Sequence, residues 1–152
     1  VWDSLRKQVA TDLEQLRCLL AAHHELLSNA QRREPGVDEV PALAAILHSF
    51  YSGIERLLKR VAVEMDGGAP HGEFWHTELL ESMTKASSKR PAVLSEALNE
   101  TLQEYMDFRH VFRHAYTFEL RWRKMAPLAL GMQVTLRRVE DELGAFLKAI
   151  GP

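Results

Sequence analysis

An all-α bundle of four long helices plus short ones is the fold this sequence predicts, and three observations predict it. Apolar residues recur at steps of three and four over most of the chain. Clusters of chain breakers divide it into long segments, at Pro35-Gly36, at Asp66-Gly67-Gly68-Ala69-Pro70-His71-Gly72 and at Gly151-Pro152. No stretch shows the period of two expected of a half-buried strand. With 152 residues the chain reads as one domain spanning 1–152, large enough to bury a hydrophobic core.

The first helix is predicted from Trp2 to about Gln31. Leu5, Val9, Leu13, Leu16, Leu20, His23 and Leu27 give it one apolar stripe, and Asp3 or Ser4 can cap its start. His23, on the stripe, is expected to be a buried or interface residue. His24 points about 100° away from it, so the two cannot chelate one ion on a regular helix. Cys18 has no His or Asp partner nearby and is expected as a small buried or half-buried side chain.

Residues 32–38 form a turn. A second helix follows from about Glu39 to Met65, with Pro41 in its first turn, where a missing N–H costs nothing. Val40, Leu43, Leu47, Phe50, Ile54, Leu57, Leu58, Val61 and Met65 make its apolar face. Gly53 inside it costs about 1 kcal/mol against alanine, and a close helix–helix approach is the expected compensation. Glu55 and Arg56 are expected as a solvated pair.

After the 66–72 loop, Phe74 to Leu80 reads as a short amphipathic helix whose aromatics close one end of the core. His71, Glu73, His76 and Glu78 lack metal-ligand spacing, so no metal site is expected there. Residues 84–90 are a polar connector. Pro91 opens the third long helix, which carries Leu94, Leu98, Leu102, Tyr105 and Phe108 into the segment 109–116. Pro127 ends or restarts the helix after it, and the last helix runs roughly from Leu128 to Ile150.

Composition narrows the function. The formal charge of −2 gives no global attraction to nucleic acid, so any such binding needs a local patch. Cys18 is the only cysteine, which excludes an internal disulfide and fits a reducing cytoplasm. No apolar run approaches the roughly 20 residues of a membrane span. Residues 1–20 carry charges throughout and contain no signal peptide; the start at Val1 rather than Met is expected to reflect a trimmed or partial N-terminus.

The densest chemistry lies in Arg109-His110-Val111-Phe112-Arg113-His114-Ala115-Tyr116. On a helix Phe108, Val111, Phe112 and Ala115 are expected to face the core, and Arg109, His110, Arg113 and His114 to face away. His114 and Tyr116 diverge on a continuous helix, so a joint site needs the helix to end near Ala115 or residues from a second subunit. Histidine moves protons near neutral pH, and arginine forks onto phosphate. Together they can cleave RNA through its own 2′-hydroxyl without a metal. Arg109, Arg113, Arg121, Arg123 and Lys124 stand against the single acid Glu119, which supplies a basic patch. A solvated basic helix end, favoured by the helix dipole, is an equal reading of the same residues.

Arg109-x4-His114-x-Tyr116 resembles the R-x4-H-x-Y motif of HepT-like toxins, in the HEPN superfamily of small all-α ribonucleases. His110 fills the polar position after the arginine. The stretch from Leu47 to Arg56, the Asp66-Gly67-Gly68 loop and Trp75-His76 are similar as well, so the resemblance covers about residues 40–125. It implies a HEPN-like helical bundle, no cofactor, RNA as substrate and a homodimer whose motifs share one cleft. It also implies that Arg109 and His114 are catalytic, with His110 and Arg113 supporting, and that Tyr116 lines the site. In such a type VII toxin–antitoxin pair a minimal nucleotidyltransferase antitoxin transfers AMP to the motif tyrosine. Its motif leaves both His110 and His114 as candidates for the base. The alternative is a catalytically silent HEPN domain that binds RNA, nucleotide or a protein partner; a structural helical adaptor is a third reading.

Overall fold

The computed structural model describes residues 1–152, all of it helix and connection. The helices are α1 (Asp3–Ala22), α2 (His24–Arg32), α3 (Glu39–Asp66), α4 (Trp75–Met83), α5 (Glu96–His114) and α6 (Trp122–Ala149), with a 3₁₀ turn at Thr117–Glu119. Four are long and two short, as the sequence predicts. No helix is long and apolar enough to cross a membrane.

The central helix is α3. It packs against each of the other five, and most of its circumference is apolar and buried, with Ser49, Arg56, Lys59 and Glu64 on the strip left exposed. Gly53 explains how α1 comes so close: a Cβ there would lie 2.7 Å from Cδ2 of Leu16. Arg60 of α3 donates to Asp12 of α1 at 2.6 Å, closing the same interface with a charge pair. At the far end of α3, Gly67 takes a left-handed φ of 82°, which an L side chain rarely adopts, and so stops the helix. The connector that follows α4 folds around Arg90. Its guanidinium forks onto the Asp66 carboxylate at 2.8 and 2.9 Å and donates to three backbone carbonyls.

Several boundaries differ from the sequence expectation. The first helix breaks at His23, which turns out to solvent while Leu26, Leu27 and Ala30 of α2 pack on the core. Burying an imidazole there would need a partner, whereas the break lets α2 follow α3 and α6. Cys18 is exposed, on the outer face of α1. The third long helix starts at Glu96, not Pro91. Ser95 caps it, accepting from the Leu98 N–H at 3.1 Å, and Glu142 of α6 holds Ser95 in turn. Residues 91–94 stay outside the helix and bend at Val93 and Leu94, which enter the core and both donate to the Met83 carbonyl. Pro127 lies inside α6 instead of interrupting it. It costs one bond near the helix start, and the stripe Met125, Ala129, Met132, Leu136, Val139, Leu143, Phe146 runs unbroken past it.

Candidate functional site

The fold decides which side chains of 109–116 point where. On α5 the buried residues are Leu98, Leu102, Tyr105 and Arg109, at steps of four, three and four. Arg109 therefore sits on the apolar stripe. It is 7% exposed, while Val111 is 55% exposed. The expected assignment of faces is corrected for both residues: Arg109 points inward and Val111 outward.

A buried arginine needs a partner, and α3 supplies it. Glu55, also 7% exposed, sits on the α3 stripe facing α5 and is a buried pair member, not a solvated one. Arg109 Nη1 donates to Glu55 Oε1 at 2.9 Å and Nη2 to Oε2 at 3.0 Å. Nη1 also donates to Ser52 Oγ at 3.3 Å. The planar fork of Arg109 is thus spent on Glu55, and its Nε–H edge is left over. Beneath it lies the Tyr51 ring, 5.0 Å from the guanidinium carbon. Burial, then the Glu55 charge, pushes the Tyr51 phenol well above its ordinary range.

His76 completes the cluster from α4. Its Nδ1 lies 2.6 Å from Glu55 Oε2 and 2.9 Å from Arg109 Nη2. An arginine N–H only donates, and a carboxylate only accepts. The shorter contact identifies Nδ1 as a protonated donor to Glu55, with Arg109 sharing the same oxygen. The ring is backed by Trp75, centroids 3.6 Å apart, over which Lys59 lies at 4.5 Å. Trp75 packs on the core as expected, but Phe74 is two-thirds exposed and closes nothing.

One cleft opens above this cluster, between α4 and α5. It is lined by His76, Thr77 and the preceding Glu73 and Phe74, and by Arg109, His110 and Arg113 from α5. Arg113 is exposed there and has no ion pair, so its fork is free. His114 joins the cleft edge through His110, their rings meeting edge to face at 4.8 Å. No group of three or more His, Cys, Asp or Glu side chains is arranged to hold a metal ion.

The helix ends at His114. Ala115 and Tyr116 are extended, and the chain turns through Thr117–Glu119, where the Glu119 carboxylate accepts from the Tyr116 N–H at 2.8 Å. Tyr116 is thereby lifted off the helix track and stacks on Phe118 at 5.5 Å, both largely exposed. His48 lies on the other flank of Arg109, against Phe112 at 5.3 Å. Its Nδ1 is buried with no hydrogen-bond partner in the protein. Burial, helped by the Arg109 and Arg113 charges, holds its pKa below the usual 6.5.

Sequence reasoning brought Arg109, His110, Arg113, His114 and Tyr116 to one end of α5; the structure lines one cleft with the first three and leaves His114, against the His110 ring, and Tyr116 outside its lining. It missed Glu55, His76 and His48. Their signal was present: Glu55 and His76 are polar residues at stripe positions, in register with Tyr51 and Leu58 on α3 and with Leu79, Leu80 and Met83 on α4.

The family model described as HepT-like protein matches residues 42–150. No curated protein and no solved structure matches the chain. The family match starts in the first turn of α3 and ends with α6, so it takes in every residue of the cleft and leaves out α1 and α2. The family is of HEPN type and in general related to ribonucleases. With the bundle and well over half its length matched, this chain belongs to the HepT-like family.

Proposed function

We propose that this protein is a metal-independent endoribonuclease toxin of a type VII toxin–antitoxin pair, acting in the cytoplasm as a homodimer with a composite site. The observation that carries the reading is the cleft itself. Two arginines and two histidines line it together with Glu73 and Asp107, and His114 and Tyr116 follow at the helix end beside it. Arg113 grips the phosphate with its free fork. Arg109, fixed on the cleft floor, adds charge that is preorganised against the negative charge growing on phosphorus. His114 moves a proton, and His110 supports it. The exposed Val111, Tyr116 and Phe118 offer an apolar surface around the motif on which a second copy can dock. Tyr116, clear of the core, is the acceptor of AMP from a minimal nucleotidyltransferase antitoxin. A bulky anion there repels RNA from the neighbouring arginine-bearing cleft.

A second reading is favoured by one specific observation. Arg109 is already engaged by Glu55, as expected of a catalytically silent HEPN domain that binds RNA, nucleotide or a protein partner. Expression of the protein alone separates the two. Under the toxin reading, wild type arrests growth and fragments RNA, and His114→Ala does neither. Purified wild type keeps cleaving in EDTA. Intact RNA with wild type, or cleavage only on adding a metal, rejects the proposed mechanism.

A further inference from the structure

We propose that His76 is a second proton-transfer residue of this site, its Nε2 accepting the proton of the RNA 2′-hydroxyl, and that the buried Glu55 carboxylate is what positions it. The inference rests on the ribonuclease reading above and names a residue outside the α5 motif.

The argument is geometric. Of the 7 histidines in the chain, His76 is the one whose ring nitrogen meets a carboxylate. That carboxylate is buried and tied on both oxygens by Arg109, so it cannot swing to another partner. A 2.6 Å contact with an acceptor-only carboxylate makes Nδ1 the donor, so in the neutral ring Nε2 presents the lone pair. Trp75 backs one face of the ring and so restrains its rotation. The side chain is 30% exposed and lines the cleft, so Nε2 is the nitrogen left for a ligand there. A carboxylate that orients an imidazole in this way is the arrangement by which a histidine is set up as a base. His110 lines the same cleft but has no carboxylate to orient it, only the edge of His114.

The chemistry then balances between His76 and His114, the latter from either subunit of the composite site. His76 Nε2 takes the 2′-hydroxyl proton as the 2′-oxygen bonds to phosphorus. The bond from phosphorus to the 5′-oxygen breaks, and that oxygen leaves with a proton from the imidazolium of His114. The products are a 2′,3′-cyclic phosphate and a 5′-hydroxyl. One proton has been taken up and one given, and exchange with water resets both rings.

The test uses single-turnover cleavage of an RNA oligonucleotide by the full chain. In His76→Asn the amide nitrogen replaces Nδ1 and keeps the bond to Glu55, while Nε2 is deleted. The expected result is a loss of about 10²-fold or more in the cleavage rate, with unchanged substrate affinity and denaturation midpoint. Added imidazole partly restores His76→Ala, which a structural role would not allow. On a substrate whose 5′-bridging oxygen is replaced by sulfur, a leaving group that needs no acid, the His76→Asn defect persists and the His114→Ala defect shrinks. Glu55→Gln slows the wild type more than it slows His76→Asn, because part of its effect runs through His76 and the rest through Arg109. Wild-type activity with unimpaired His76→Asn overturns the assignment of His76 alone, and a His76→Asn defect that vanishes on the sulfur substrate overturns its role as base. Inactive wild type overturns the ribonuclease reading and this inference with it.

Discussion

The two ends of the motif are built on opposite principles. Arg109 is buried, paired on both terminal nitrogens and locked between α3 and α4. His114 and Tyr116, one and a half turns further on, are exposed at the point where the helix has ended. The inner end is therefore part of the core and carries folding free energy. The outer end carries next to none and is free to meet RNA, a second subunit or a modifying enzyme. One sequence motif thus joins a structural anchor to a chemical surface, and substitutions along it should separate the two.

The sharpest break is at the inner end. Glu55→Ala leaves the Arg109 guanidinium buried beside Tyr51 without its carboxylate, and removing one member of a buried pair costs about 3–5 kcal/mol. Urea unfolding is expected to show a loss of that size. The double replacement Glu55→Leu with Arg109→Leu removes both charges and is expected to cost much less than either single change to alanine. Equal stability of wild type and Glu55→Ala would place the pair at the surface and erase the distinction between the two ends.

That pair also shows how far the sequence could be read. The four long helices and their order were legible, because periodicity and chain breakers carry them. The turn at His23 was not, since Leu20, His23 and Leu27 keep the spacing of one straight helix. Pro91 and Pro127 misled for a related reason: capping by Ser95 and a continuous stripe through α6 outweighed the local preference of proline. The site was half legible. Its residue types advertise chemistry, but their faces were assigned from Phe108, Val111 and Phe112 on the rule that charge points outward. Arg109 breaks the rule because Glu55 breaks it too, on the facing helix. A charged residue on one apolar stripe means little by itself. Opposite charges on two stripes that face each other compensate, and finding them requires knowing which helices face.

A smaller effect, also confined to the inner end, comes from His48. Its folded pKa is held below 6.5 by burial and by the nearby Arg109 and Arg113 charges. The unfolded chain therefore binds this proton more readily than the folded one. The contribution of His48 is intact above pH 6.5, and stability is lost as pH falls through 6.5 towards the lowered folded value. Denaturant midpoints from pH 8 to pH 5 should fall more steeply for wild type than for His48→Leu. Parallel slopes would mean that His48 is solvated, and the inner region would shrink to the Glu55 cluster.

The smallest effect on stability is expected at the outer end, where it is most informative. Tyr116 is 72% exposed, and its ring stacks on Phe118. Its backbone N–H, not its phenol, holds the turn to Glu119, and phenylalanine keeps that bond. Tyr116→Phe should therefore unfold within about 0.5 kcal/mol of wild type, as surface substitutions usually do. Incubation with ATP and the cognate nucleotidyltransferase should add AMP to the wild-type phenol, with pyrophosphate leaving and the phenol proton lost, and add nothing to Tyr116→Phe. Because the residue bears no folding load, loss of the adduct cannot be blamed on a disturbed core. The proposed modification then stands or falls on the hydroxyl alone, which no substitution at Arg109 or Glu55 would permit.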